Sequence, residues 1–135
     1  MLRRVHHIDF VVRDLDAAAE RYSRIFGVEP LGSERLEDRG VELVRFELDN
    51  VWIVLVQPLG EKGPVKNFLD EYGEGFFHVG FQVDDVSAEA ARIAREGIGL
   101  VNSTPRRGVE GWQLVDLEMD ETFGVYLQLV QDDDE

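Results

Sequence analysis

The sequence predicts an α+β fold in which two β-α-β-β-β modules form a curved, mixed-sheet cup. The first observation is a repeat: VHHIDFVVRD at residues 5–14 has a near twin, FFHVGFQVDD, at residues 76–85. The second is that each copy precedes an amphipathic segment with helical periodicity and then two runs with strand alternation. The third is size, because 135 residues with 44% hydrophobic content fit one domain. The copies are therefore interpreted as two halves of one compact domain.

The first module is predicted to begin with the strand that contains His7 and to continue as a helix in DLDAAAERYSRIFG. Asp14 stands where an N-cap belongs, and Gly27 stands where the chain leaves the helix. A weak strand is expected near residues 29–36. VELVRFEL and VWIVLVQ then form a hairpin around Asp49 and Asn50.

The second module repeats this order, with a strand at His78, a helix in DVSAEAARIAREG between Asp85 and Gly97, and a weak strand near residues 100–104. WQLVDLEM and GVYLQLVQ complete it, and VLVQ at residues 54–57 aligns with QLVQ at residues 128–131. The predicted boundaries are 1–57 for the first module, 58–75 for a linker with a short helix over 65–72, 76–131 for the second module, and 132–135 for an acidic tail.

Composition narrows the classes of partner. The formal charge is −14, from 28 acidic and 14 basic residues, which argues against nucleic acid and membrane surfaces as partners. The chain has no cysteine, which excludes disulfides and thiolate metal sites. It also has no apolar run of the length of a membrane span or a secretory signal. We therefore expect a soluble cytoplasmic protein with a solvated acidic tail; the acidity is also compatible with a halophilic source.

Strand alternation predicts which side chains face away from the helices. This second face collects an unusual number of polar and aromatic residues: His7, Asp9, Arg45, Glu47, Trp52, His78, Gln82, Trp112, Asp116, Glu118, Tyr126 and Gln128. His6 falls on the helix-facing side and receives no role. Because His7 and His78 occupy equivalent repeat positions, they are candidates for a shared metal site.

With these features the sequence resembles the vicinal oxygen chelate superfamily, which includes glyoxalase I, methylmalonyl-CoA epimerase, extradiol dioxygenases and bleomycin-resistance proteins. The resemblance covers nearly the whole chain and is strongest to the epimerase branch, through HHIDFVVRDLDAAAERYSRIFG, VQPLGEKGPVKNFLDEYGEGFFHVGFQVDDV and FGVYLQLV. It implies paired modules, a homodimer, and one divalent ion (Fe, Mn, Co, Ni or Zn) held at four positions, two in each module.

Transferred to this sequence, the ligand positions of the family match His7, His78 and Gln128, and the fourth falls on Val54. Valine cannot bind a metal, and glutamine offers only a neutral carbonyl oxygen. The resemblance also implies that the last-strand residue, usually a glutamate, shuttles a proton as a base. Gln128 cannot take this role.

The first functional hypothesis is a metal-dependent isomerase, epimerase or lyase whose small substrate is chelated through adjacent oxygens. In it, Glu47, Glu118 or Asp116 moves the proton. For any one of these carboxylates, an ion pair to Arg45 or solvation at the mouth of the cup is favoured over a catalytic role.

Two alternatives remain open. The chain could be a metal-free binding or resistance protein in which Trp52, Trp112 and Tyr126 form stacking walls for a small molecule. It could also be an extradiol-type dioxygenase with two histidines and Gln128 around Fe(II). A purely regulatory or structural role is the least favoured.

Overall fold

The computed structural model describes residues 1–133, so residues 134 and 135 of the predicted tail lie outside the described chain. The described part contains eight strands and three α-helices: β1 Arg4–Val11, α1 Leu15–Phe26, β2 Glu34–Leu36, β3 Val41–Glu47, β4 Trp52–Pro58, α2 Pro64–Tyr72, β5 Gly75–Gln82, α3 Val86–Arg95, β6 Arg106–Arg107, β7 Gln113–Asp116 and β8 Leu127–Gln131. None of the described helices has the length and apolar character needed to cross a bilayer.

The chain divides into two compact units, with one boundary inside β1 and the other inside β5. The first unit is His7–Phe77, and the second comprises residues 1–6 together with the described chain over residues 78–133. In the first unit the strand order is β2-β3-β4-β1, with β1 and β4 parallel and the other pairs antiparallel. In the second unit the order is β5-β8-β7-β6, again with one parallel pair, β5 and β8. The α+β class and the repeated β-α-β-β-β module are thus confirmed.

One helix covers one face of the sheet in each unit. In the first unit Leu15 of α1 lies over Phe46 and Leu55, which are fully buried. In the second unit α3 packs against Val115 and Leu129. Burial of a side chain of this size contributes about 1.5–3 kcal/mol. These residues have the helix-facing parity predicted from the sequence, so the opposite parity marks the face available for chemistry.

Two side chains cap the start of α1. Asp14 Oδ1 accepts a hydrogen bond from the Ala17 backbone N–H at 3.1 Å. Gln57 Oε1, at the end of β4, accepts from the Leu15 N–H at 2.7 Å. At the other end, Gly27 adopts φ 76°, a left-handed conformation that glycine takes without strain.

The start of α3 is capped in the same way. Asp85 Oδ1 accepts from the Ala88 N–H at 3.0 Å, and Gln131 Oε1 of β8 accepts from the Val86 N–H at 3.0 Å. Each module therefore ties the last residues of its final strand to the first turn of its helix. The repeat of VLVQ and QLVQ in the sequence reflects this shared cap.

The weak strand predicted near residues 100–104 is wrong, because the short strand β6 lies at Arg106–Arg107. Leu100 makes an isolated bridge with Leu117, and the Val101 N–H donates to the Asp116 carbonyl at 2.8 Å. The side chain of Asn102 then replaces a backbone hydrogen bond between strands, because its Oδ1 accepts from the Asp116 N–H at 2.8 Å. Backbone pairing resumes only beyond this side chain.

The structure also corrects the predicted acidic tail at Asp132. This residue is buried, and its Oδ2 lies 2.8 Å from His6 Nε2. The His6 ring packs edge-on against Trp112, with the ring centroids 4.5 Å apart. Buried ionisable groups are stable only when paired, so Asp132 belongs to the folded second unit.

Candidate functional site

In the first unit the candidate site begins on β1. His7 and Asp9 alternate along this strand with Ile8 and Phe10, which pack toward α1. Both polar residues are buried, and His7 Nε2 lies 3.9 Å from Asp9 Oδ1. A buried imidazole and a buried carboxylate on one face form a pair of potential metal ligands.

The strand register continues this face across β4 and β3. Asp9 lies opposite Val54, which in turn lies opposite Arg45. Val54 is 2% exposed, so an apolar side chain separates an acidic strand position from a basic one. The position that should carry the fourth ligand therefore has a carboxylate as its neighbour in the sheet.

A second row runs parallel to the first, in which His7 lies opposite Trp52, and Trp52 lies opposite Glu47. The Arg45 guanidinium carbon lies 4.3 Å from the Trp52 ring centroid, a cation–π distance. Trp52 is thus held by Arg45. Glu47, at the end of β3, is exposed.

In the second unit Gln128 of β8 lies between Gly80 and Asp116 in the register. It is 1% exposed, and its Nε2 donates a hydrogen bond to Asp116 Oδ1 at 2.9 Å. Gly80 and Asp9 are equivalent in the repeat, so their partners Gln128 and Val54 are equivalent too, as the sequence alignment predicts.

Asp116 is held on its other side by Arg106. Both Nε and Nη2 of Arg106 lie 2.9 Å from Asp116 Oδ2. Asp116 is 2% exposed, so this ion pair is shielded from solvent. These contacts favour a positioning role for Asp116 over the proton-transfer role predicted for it.

The remaining predicted residues of the second unit are His78, Tyr126 and Glu118. His78 is buried, and its ring centroid lies 5.0 Å from that of Tyr126. Glu118 follows β7 and is exposed, with its backbone N–H bonded to the Gly99 carbonyl at 3.2 Å. Glu118 occupies the repeat position of Glu47, so each module carries one exposed carboxylate at the same place.

Trp112 does not form the stacking wall that the metal-free hypothesis required. It is buried against His6 and lies outside β7, directly after the 3₁₀ turn Val109–Gly111. The alternation of β7 therefore does not extend to it.

Sequence reasoning gave no role to two residues of these networks. Asp9 could have been found, since its parity places it beside His7 on the polar face. Arg106 could not, because it follows Pro105 in a stretch with no strand periodicity.

Comparisons with known proteins agree with this architecture. The ethylmalonyl-CoA/methylmalonyl-CoA epimerase of Cereibacter sphaeroides is 31% identical over 97% of this chain and 99% of that protein. A variant of Streptomyces coelicolor methylmalonyl-CoA epimerase, solved with 2-nitronate-propionyl-CoA, matches with a TM-score of 0.94 at 32% identity, covering 98% of this chain and 96% of that one. The epimerase from Mycobacterium tuberculosis gives a TM-score of 0.91 at 28% identity, with 96% and 88% covered.

The family profile gives the same result at the level of the superfamily. It matches residues 6–115, which include both histidine strands, both capped helices and the hairpin of the first unit. This chain therefore belongs to the glyoxalase/bleomycin resistance protein/dioxygenase superfamily.

Proposed function

We propose that the protein is an epimerase that inverts C2 of a short-chain 2-alkylmalonyl-CoA, such as methylmalonyl-CoA or ethylmalonyl-CoA. The observation that carries the proposal is the similarity to the Cereibacter sphaeroides epimerase, which extends over 97% of this chain and 99% of that protein. A methylmalonyl-CoA epimerase solved with methylmalonyl-CoA also matches, with a TM-score of 0.94 at 31% identity.

Epimerisation is a proton exchange at one carbon. C2 of such a substrate lies between a thioester carbonyl and a carboxylate, so the anion formed by proton loss is delocalised onto the thioester oxygen. One group removes the proton from one face, and a second group returns a proton to the opposite face. The reaction therefore requires two acid–base groups and no net change in atoms or electrons.

We assign these two roles to Glu47 and Glu118. They are exposed carboxylates at equivalent positions of the two modules, two residues beyond Arg45 and Asp116 in the sequence. Gln128 carries no titratable proton and cannot serve as a base.

The donor set fits a divalent ion of intermediate softness. We propose that His7, His78 and Gln128 hold the ion and that Asp9, next to His7, adds a carboxylate ligand. Two imidazoles, one carboxylate and one amide oxygen suit Fe, Mn, Co, Ni or Zn. When bound, the ion supplies Lewis acidity for the adjacent oxygens of the substrate.

The test is isotope exchange in D₂O. The purified protein, supplied with Co²⁺, is incubated with one epimer of methylmalonyl-CoA, and deuterium at C2 and the ratio of epimers are followed by NMR. We expect deuterium incorporation together with inversion. The absence of both, with Co²⁺ and with each of the other four ions, would contradict the proposal.

Glu47→Gln and Glu118→Gln are each expected to lower turnover by about 100-fold or more, the usual contribution of a general acid or base. Each variant should still exchange the proton of the epimer that its remaining carboxylate faces. Glu20→Gln is the matched control, because Glu20 is an exposed carboxylate on α1 with a 4.0 Å ion pair to Arg24.

A second candidate is extradiol-type oxygenation, favoured by one observation. Asp9 lies 3.9 Å from His7 and would give the histidines the carboxylate partner typical of non-haem Fe(II) oxygenases. Oxygen uptake by the Fe²⁺-loaded protein in the presence of a catechol would support it, whereas uptake no greater than that of Fe²⁺ and catechol without protein would exclude it.

A further inference from the structure

The side-chain amide of Gln128 can present two groups of opposite chemistry. Its oxygen accepts hydrogen bonds and can bind a cation, whereas its NH₂ group only donates. A rotation of 180° about the last side-chain bond exchanges the two. A site that uses Gln128 as a metal ligand must therefore fix this rotation.

Asp116 supplies the constraint. Its carboxylate is a pure acceptor when ionised, and its Oδ1 lies 2.9 Å from Gln128 Nε2. A flipped amide would bring two acceptor oxygens to this distance inside a buried site, where repulsion is poorly screened. The amide must turn its NH₂ group to Asp116 and its oxygen away.

Arg106 fixes Asp116 in turn. Two guanidinium nitrogens bind Oδ2 at 2.9 Å, which leaves Oδ1 for Gln128. Asn102 Oδ1 accepts a hydrogen bond from the backbone N–H of Asp116 at 2.8 Å. Arg106 and Gln128 thus both donate hydrogen bonds to the carboxylate of Asp116. Because a guanidinium cannot accept a hydrogen bond, Arg106 requires residue 116 to be the acceptor.

We infer that Asp116 and Arg106 are positioning residues that hold the Gln128 amide with its carbonyl oxygen as the ligand atom. The inference rests on the proposed metal site. It also explains how a neutral glutamine serves where a carboxylate is expected, since the carboxylate is its neighbour in the sheet.

The decisive variant is Asp116→Asn, which changes the direction of the hydrogen bonds while preserving side-chain volume. Arg106 still requires an acceptor, so the new asparagine turns its oxygen to Arg106 and its NH₂ group to Gln128. Gln128 must then turn its own oxygen to that NH₂ group and present NH₂ to the ion. We expect the affinity for Co²⁺, measured by calorimetry and by the visible spectrum of Co²⁺, to fall about tenfold or more.

A rescue variant separates positioning from packing. In Asp116→Asn/Gln128→Glu the NH₂ group of the new asparagine meets a carboxylate at residue 128, and Co²⁺ affinity should return to the wild-type value or exceed it. Gln128→Glu alone places two carboxylates about 3 Å apart, so it should bind Co²⁺ more weakly than the double variant. Asp70→Asn is the control, since it removes the exposed ion pair between Asp70 and Lys66. If the double variant bound no better than Asp116→Asn, the residues would be merely structural.

The orientation of the amide is also measured without metal. In ¹⁵N-labelled, metal-free protein the Gln128 NH₂ signals should show slow hydrogen exchange and should shift strongly in Asp116→Asn. Unchanged signals would overturn the inference. Failure of the wild-type protein to bind Co²⁺ while the NMR shift is seen would instead refute the proposed metal site and leave the amide orientation established.

Discussion

Val54 shows how a single residue changes the chemistry of a duplicated site. It is equivalent to Gln128 in the repeat, and its neighbours in the sheet are Asp9 and Arg45. A polar residue at this position would lie between an acidic neighbour, Asp9, and a basic neighbour, Arg45. The chain has instead an apolar side chain here, and the nearest carboxylate is on the adjacent strand.

Val54→Glu tests whether this position faces the proposed ion. Without metal, the new carboxylate is buried beside Asp9 and should lower the thermal midpoint, because burial and like charge both oppose ionisation. With Co²⁺ the midpoint should recover, metal affinity should rise and the proposed epimerase activity should fall, since the new ligand would fill a coordination position left open for the proposed substrate. Differential scanning calorimetry with and without Co²⁺ measures the recovery.

Val56→Glu is the matched control for this experiment. Val56 lies on the same face of β4 and is buried, but its neighbours in the sheet are Val11 and Leu43. It should lose stability without any recovery by metal. Equal midpoints for Val54→Glu with and without Co²⁺, at unchanged affinity, would remove position 54 from the site.

At the scale of residues, strand alternation within the repeat is the part of the site that the sequence reveals. The buried positions of His7, His78 and Gln128 could be deduced this way, because each lies inside a regular strand. Trp112 and Arg106 could not, because each lies at or beyond the end of a short strand, where local turns set the direction of the side chain. That Asp116 is bound to Arg106 could not be read from strand patterns either.

At the scale of elements, the glutamine caps are the feature that both modules share most closely. Gln57→Leu and Gln131→Leu each remove an acceptor from the first N–H of a helix, for Leu15 and Val86 respectively. We expect each to lower the free energy of unfolding by about 1 kcal/mol. Urea denaturation followed by circular dichroism measures the change.

A matched comparison uses Asp14→Ala and Asp85→Ala, which remove the other cap of each helix and should cost about 1 kcal/mol as well. Because the two caps of a helix start share one turn, the double variant Asp14→Ala/Gln57→Leu should depart from additivity. If the losses in free energy of unfolding were strictly additive, Gln57 would stabilise β4 and not the start of α1.

The first turn of α3 also carries a charge network with a predicted pH dependence. The N-terminal ammonium lies 2.6 Å from Glu89 Oε2, and Arg92 donates to Oε1 at 2.9 Å. The hydrogen bond from the N-terminus, followed by that from Arg92, lowers the pKa of Glu89. A lowered pKa in the folded state stabilises the protein above the unfolded value of about 4.3.

Glu89→Gln should therefore lower the free energy of unfolding by about 1 kcal/mol near neutral pH. The difference from wild type should vanish as the pH falls through the lowered folded pKa of Glu89. Urea denaturation over this range measures it, with Glu20→Gln as the exposed control. A difference that persisted at low pH would assign the effect to packing.

Helices are the elements that the sequence predicts best here, since N-cap residues and glycines mark both ends. The β6 region is predicted worst, because a side chain, Asn102, takes over the hydrogen bonds that a strand would make. Strand propensity and alternation predict hydrogen bonds between backbones. They do not predict where a side chain replaces them.

At the scale of the whole molecule, the resemblance implies a homodimer. Light scattering at micromolar concentration should give about twice the chain mass of 15.4 kDa. Because a charge of −14 opposes association, the dimer should be more stable in salt than at low ionic strength. A monomer mass across the range of salt concentrations would contradict the prediction.

The glutamine caps also fix the register of the two strands that carry Val54 and Gln128. Gln57 and Gln131 each stand three residues beyond Val54 and Gln128 on the same strand, so cap and site residues point to opposite faces. A shift of β4 or β8 by one residue would exchange those faces, and the helix start would lose its acceptor at once. Each strand is thus held in register from its helix-facing side, and an error in pairing that would misplace a proposed ligand would also remove a helix cap.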